Sequence, residues 1–75
     1  MEIKVKILGA GSIGNHLAYA CRQLDWSVTV CDIDAEALRR TRDEIFPSRY
    51  GKWDEAIRLM RPTEVADETF EVIII

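Results

Sequence analysis

The sequence has no long apolar run, no excess of basic residues and only two cysteines. Its longest uninterrupted apolar run, 72–75, is far shorter than the roughly 20 residues of a membrane-spanning helix. Ten Lys and Arg against thirteen Asp and Glu leave a net charge of −3, with no basic face for a polyanion. Cys21 and Cys31 form no Cys-x-x-Cys pair, so neither the zinc nor the redox template is met. We expect no membrane, nucleic-acid or metal partner, and two reduced cysteines that pack internally.

The length of 75 residues allows one domain. An apolar fraction of 48% and a charged fraction of 31% are typical of a soluble globular protein rather than a disordered chain. Residues 1–8 alternate apolar with charged side chains before an apolar end, and they lack the apolar core and cleavage site of a signal peptide. We therefore expect a single cytoplasmic domain over residues 1–75.

Hydrophobic periodicity predicts strands that alternate with helices. Strands are expected over 3–8, 28–31 and 70–75, and helices over 13–24, 35–45 and 54–60. Pro47 should end the second helix, because proline disfavours helical geometry in the residue before it. Strands alternating with helices predict a parallel sheet. The expected fold is α/β, a Rossmann-like three-layer β-α-β-α-β unit with a three-stranded sheet in the order 3-2-1, which is part of a doubly wound domain.

The sequence Gly9-Ala10-Gly11-Ser12-Ile13-Gly14 lies where the first strand gives way to the first helix. A Gly-x-Gly-x-x-Gly motif is weak by itself, but in this context it is typical of dinucleotide binding. Gly9 permits the tight turn, Gly11 lets a pyrophosphate approach the backbone, and Gly14 lets the helix lie close to the sheet. The N–H groups of Ser12 and Ile13, at the positive end of the helix dipole, are the expected diphosphate donors.

Asp32 ends the second predicted strand at the spacing that the dinucleotide motif requires. Its carboxylate is expected to accept hydrogen bonds from the adenosine ribose and to repel a 2′-phosphate, which predicts NAD in preference to NADP. Ile33 is a candidate apolar wall for the adenine. Arg39, Arg40 and Arg42 follow on the second helix, but acidic residues four positions away favour ion pairs on a solvated face.

Several segments together resemble the start of the Gfo/Idh/MocA oxidoreductases: 7–14, 28–32, 49–51, 54–60 and 70–75. The resemblance implies hydride transfer between NAD(P) and a sugar or polyol hydroxyl. It also implies that the cofactor contacts are Gly9, Gly11, Ser12, Ile13, Gly14 and Asp32. The family's Glu-Lys-Pro segment, catalytic residues and substrate domain have no counterpart in the sequence.

Only one mononucleotide-binding half is expected, so we predict a partial domain that binds a dinucleotide without turnover. The exposed strand edge would pair with the remainder of the chain or with another subunit. A first alternative is a non-catalytic nucleotide-sensing domain, similar to those of potassium channels and transporters. A second is a small interaction module that binds no nucleotide. His16 has no carboxylate partner nearby in sequence, and no catalytic residue is assigned.

Overall fold

Four parallel strands form the sheet in the computed structural model, which describes residues 2–75. They are β1 (Lys4–Leu8), β2 (Ser27–Cys31), β3 (Arg58–Met60) and β4 (Val72–Ile74). The spatial order is β3-β2-β1-β4. The predicted α/β fold with a parallel sheet is therefore confirmed.

The core of the sheet lies on β1 and β2, where β-branched residues suit strands covered on both faces. Val5 and Ile7 of β1 are buried, as are Val28 and Val30 of β2. Val5 is opposite Val28 on one side and Val72 on the other. Because β1 is hydrogen-bonded to a strand on each side, the position of its carboxyl end is fixed.

Two details of the predicted fold are wrong. The sheet has four strands instead of three, and the helix predicted over 54–60 does not form. Residues Arg58–Met60 are extended and pair with β2. Ile57 is buried and Leu59 packs against the core, so the apolar residues follow the two-residue period of a strand. The order 3-2-1 holds when Arg58–Met60 is counted as the third strand. The strand predicted over 70–75 is β4, which pairs with β1 on the side opposite β2.

Helix α1 spans Ser12–Gln23 and packs on the sheet through Gly14, Ala18 and Cys21. The chain then turns at Asp25, whose φ of 62° lies in the left-handed region that favours glycine. The sequence carries aspartate there, a residue that tolerates this conformation better than most. The first predicted helix is confirmed to within a residue at each end.

The second helical segment consists of α2 (Ala35–Arg40), a π-helical stretch (Thr41–Ile45, the π segment) and α3 (Phe46–Tyr50). The predicted end before Pro47 is wrong. In the π segment the Phe46 N–H donates to the Thr41 carbonyl, five residues back instead of four. This wider turn relieves the clash that a proline ring makes with an α-helical carbonyl. The segment ends at Gly51, whose φ is 94°.

A connector links β3 to β4 and contains a 3₁₀ helix, Pro62–Val65. Val65 is fully buried and fixes the connector to the protein. Arg58 and Glu68 form an ion pair that joins β3 to the end of the connector. None of the helices found in residues 2–75 has both the length and the apolar character needed to cross a membrane.

Candidate functional site

The glycine loop, residues 9–11, joins β1 to α1 at the carboxyl edge of the sheet. Gly9 has a φ of 114°, a conformation that side chains other than glycine rarely adopt. Its N–H donates to the Cys31 carbonyl at 2.7 Å, which continues the β1–β2 pairing by one residue. The loop therefore begins as a sharp turn directly above β2.

Gly14 brings the first turn of α1 against this loop. A Cβ atom at Gly14 would lie 2.1 Å from the Gly9 carbonyl oxygen and 3.2 Å from its carbon. Those are backbone atoms of a residue held by the sheet, so they have little freedom to move away. The close approach therefore requires glycine at position 14, in agreement with the packing role that the motif predicts.

The beginning of α1 presents unpaired N–H donors to an open surface. Gly11 is the N-cap residue, no side chain caps the helix, and the first turn contains no acidic residue. A Cβ atom at Gly11 would meet no atom within 4 Å, so a ligand has free access to the backbone there. Ser12 and Ile13 are exposed. The helix dipole and these N–H groups together favour an anion.

Asp32 follows β2 and contacts the glycine loop directly. Its Oδ2 accepts a hydrogen bond from the Ala10 N–H at 3.0 Å, and its Oδ1 accepts one from the Asp34 N–H at 2.9 Å. These two bonds hold the pKa of the Asp32 carboxyl below its ordinary value, because they stabilise the ionised form. The negative charge expected at the ribose position therefore lies beside the anion-binding end of α1.

A cleft of about 430 Å³ lies between the glycine loop and β4. Five of the predicted cofactor contacts line it: Gly9, Gly11, Ser12, Ile13 and Gly14. Ile74 and Ile75 form the opposite wall. This is where the strand order reverses from β1 to β4, and ligands of doubly wound folds bind at such switch points.

The two remaining predicted contacts lie outside this cleft, on the β2 side of the loop. Asp32 is half-buried against Ala10, and Ile33 beside it is 84% exposed. The predicted residues thus flank the glycine loop on two sides. That arrangement matches an extended ligand that crosses the loop from β2 toward β4.

A buried polar network supports the glycine loop and was missed by the sequence analysis. Thr41 Oγ1 donates to the Ala10 carbonyl at 3.0 Å, and the Asn15 amide donates to Thr41 Oγ1 at 3.1 Å and to the Gly11 carbonyl at 2.8 Å. Asn15 and Thr41 are each 1% exposed. Ala10 is therefore held through its N–H by Asp32 and through its carbonyl by Thr41. Asn15 lies on the buried face of α1 but outside the apolar stripe that the sequence shows, so no local signal pointed to it.

The ion pairs predicted for the arginines of the second helical segment are confirmed in part, since the predicted pair of Arg39 with Asp43 is present. Arg39 pairs with Glu36, Asp43 and Glu44, and Arg42 pairs with Asp43. Arg40 forms no ion pair within residues 2–75, so the pairs predicted for it with Glu36 and Glu44, each four positions away, are wrong. Its charge instead contributes to the lowered pKa of Asp32.

The family profile described as "3-hydroxyacyl-CoA dehydrogenase, NAD binding domain" matches residues 4–73. The chain belongs to this family. Searches of curated proteins and of solved structures give no significant match. The match covers β1 through all but the last residue of β4, so it includes both the glycine loop and Asp32.

Membership of the 3-hydroxyacyl-CoA dehydrogenase NAD-binding family confirms NAD as the cofactor and the Rossmann-type character of the fold. It supports an NAD-binding dehydrogenase half, as the glycine motif and Asp32 predicted. It does not show the Gfo/Idh/MocA family, and the sugar or polyol substrate implied by that resemblance stays a prediction.

The described part of this NAD-binding domain brings no general acid or base into the cleft. Ser12 carries the one polar side chain among the lining residues, and His16 is exposed. Cys21 and Cys31 are free and buried, and burial raises the pKa of both thiols. Within residues 2–75 no group of three or more metal-ligating side chains occurs. The cleft lining thus offers backbone donors and apolar contacts.

Thr41→Val tests whether the buried network holds the glycine loop of this NAD-binding domain. The substitution keeps the side-chain shape but removes the hydroxyl, so the Asn15 amide loses an acceptor and the Ala10 carbonyl loses a donor. We expect the free energy of unfolding to fall by about 1–3 kcal/mol in a urea titration followed by circular dichroism. Thr63→Val, at an exposed position, is the control. Equal unfolding midpoints for both variants would contradict the stabilising role of the Thr41 hydroxyl.

Proposed function

We propose that this chain binds NAD across the glycine loop and supplies the cofactor-binding part of an oxidoreductase. The N–H groups of Ser12 and Ile13 hold the diphosphate, and Gly11 leaves room for it. Asp32 accepts the hydrogen bonds of the adenosine ribose, with Ile33 beside the adenine. The observation that carries the proposal is the hydrogen bond of 3.0 Å from the Ala10 N–H to the Asp32 carboxylate. It places the carboxylate beside the glycine loop, which leads into a helix without a side-chain cap.

The residues present fit the chemistry of that ligand. A diphosphate needs backbone donors and a positive dipole, which the start of α1 offers, and a ribose needs an ionised acceptor, which the lowered pKa of Asp32 provides. Bound NAD accepts a hydride from an alcohol carbon. Beyond the loop, Ile13 and Ile75 give the cleft apolar walls that are open to solvent.

The family description supports a 3-hydroxyacyl thioester as the alcohol substrate, which we propose in preference to a sugar or polyol. Both classes present a secondary hydroxyl whose carbon gives up hydride and whose oxygen gives up a proton. The cleft residues of this chain include no base for that proton. We therefore propose that the proton acceptor lies outside the described residues and that the chain by itself binds the cofactor without turnover.

The test is calorimetric titration of the purified chain with NAD, NADP and ADP-ribose. We expect saturable binding of all three, with NAD tighter than NADP because the Asp32 charge repels the 2′-phosphate. Gly11→Val should abolish binding, since its side chain fills the open space above the loop. The same sample, given NAD and a 3-hydroxyacyl-CoA or a polyol, should form no NADH.

Two outcomes would contradict the proposal in different ways. A folded chain without saturable NAD binding would favour the interaction module. NADH formation by the chain alone would show that the base lies within these residues. If a longer protein that contains this chain binds NAD and turns over neither alcohol, the nucleotide-sensing alternative gains support.

A further inference from the structure

Arg49 of α3 lies over the beginning of α1. Its Nη1 donates to the Ser12 carbonyl at 3.0 Å, and its Nη2 donates to the Ser12 hydroxyl. The two residues are 37 positions apart in sequence. The guanidinium is thus fixed at the first residue of the helix whose N–H groups are the expected diphosphate donors.

Aromatic packing and the π segment hold Arg49 in this position. Tyr50, the next residue, stacks on Tyr19 of α1 with ring centroids 4.0 Å apart, and it also packs against Phe46 at 4.8 Å. The π segment adds a residue to one helical turn, which rotates α3 by roughly 100° relative to a regular α-helix. In this orientation the Arg49 side chain reaches Ser12.

The charge of Arg49 is not neutralised by the protein. Among residues 2–75, Arg22, Arg39, Arg42 and Arg58 each pair with a carboxylate, whereas Arg49, like Arg40 and Arg61, forms no ion pair; its side chain donates hydrogen bonds to the two neutral oxygens of Ser12. A guanidinium has five N–H donors, so several stay available after the two bonds to Ser12. Because the Ser12 hydroxyl accepts from Arg49, its own proton is free to be donated elsewhere.

We propose that Arg49 is a side-chain ligand of the NAD diphosphate and that it acts together with the Ser12 hydroxyl. The inference rests on the proposed function, because it assigns a further contact at the same site. Guanidinium groups bind phosphate oxygens through strong charge-assisted hydrogen bonds. Backbone donors alone distinguish a diphosphate poorly from other anions, and Arg49 adds a directed positive charge.

Arg49→Ala should weaken NAD and ADP-ribose by about tenfold in the calorimetric titration, which is the loss of one charge-assisted hydrogen bond at an exposed site. Adenosine, which has no phosphate, should bind the variant and the wild type equally. Arg49→Lys should recover part of the affinity, since it keeps the charge and loses the forked geometry. Arg42→Ala, which removes an exposed arginine from the same helical segment, is the matched control and should bind NAD like the wild type.

The outcomes separate this inference from the proposed function. Equal NAD affinity of Arg49→Ala and wild type would overturn the role of Arg49 while leaving NAD binding intact. Equal loss of adenosine and NAD affinity would show that Arg49 only supports the loop structure, which also overturns the proposal. Failure of the wild type to bind NAD would instead overturn the proposed function itself.

Discussion

Gly14→Ala is expected to destabilise the domain more than an alanine substitution at either of the other two glycines of the motif. The new Cβ atom would lie 2.1 Å from the Gly9 carbonyl oxygen, well inside van der Waals contact. Gly9 cannot retreat easily, because its N–H is bonded to Cys31 and its φ of 114° leaves few alternatives. We expect a loss of about 3 kcal/mol in the free energy of unfolding, measured by urea titration, and loss of NAD binding with it.

Gly11→Ala is the matched control, since a Cβ atom there has no neighbour within 4 Å. Its stability cost should stay near 1 kcal/mol, because alanine is a poorer N-cap than glycine. Its NAD affinity should nevertheless fall about tenfold or more, because the methyl group stands where the diphosphate approaches. Similar unfolding midpoints for Gly14→Ala and Gly11→Ala would contradict the packing argument.

Asp32→Ala should weaken NAD binding by about 10-fold to 100-fold, since the ribose hydroxyls lose a charged acceptor. The ratio of NADP to NAD affinity should rise, because the repulsive carboxylate is gone and the cation of Arg40 remains near the site. Calorimetric titration with both dinucleotides measures the ratio. Asp67→Ala removes an equal charge from an exposed position and should leave the ratio unchanged. An unchanged ratio in Asp32→Ala would place the carboxylate away from the ribose.

The same carboxylate should make stability depend on pH. Its pKa is lower in the folded protein than in the unfolded chain, where it is about 3.9. The stabilisation is therefore complete above that value and is lost as the pH falls through the lower, folded pKa. Urea titrations of wild type and Asp32→Asn should differ by a constant amount at neutral pH and should converge in acid. A constant difference down to low pH would contradict this linkage.

The parts of the fold that depend on local pattern were predictable from the sequence. The alternation before the glycine loop and the β-branched run of β2 both indicated strands. The extent of α1 was also predictable, but its buried face was not: the predicted apolar stripe was Ile13, Leu17, Ala20, Cys21 and Leu24, whereas the residues buried in the structure are Gly14, Asn15, Ala18 and Cys21. Strand β3 was not predictable, because three residues that end in Leu59-Met60 resemble a short helix as well as a strand. The position of β4 beyond β1 depends on pairing between distant segments, which no local pattern encodes.

The cofactor residues were predicted from spacing alone, because the glycine motif and the acid after β2 are local features, and their contacts with NAD stay a proposal. The roles of Thr41 and Arg49 were not predicted, because their contacts with the loop and with Ser12 join residues 31 and 37 positions apart. The contact of Arg49 also needs a helix that continues past Pro47. Pro47 gave the opposite signal, a helix end. Arg49 contacts Ser12 from a helix that continues through that proline, after a π-helical turn.

The position of β4 also has a consequence for how the protein matures. The Lys4 N–H donates to Glu71 Oε2 across 67 positions of sequence, so the first and last strands meet only after the largest chain closure in the fold. One wall of the cleft is Ile74 and Ile75, and the other comes from Ser12 and Ile13. The cleft therefore has both of its walls only when β4 is paired with β1. We expect NAD to stabilise that pairing, because a ligand shifts the folding equilibrium toward the conformation that it binds.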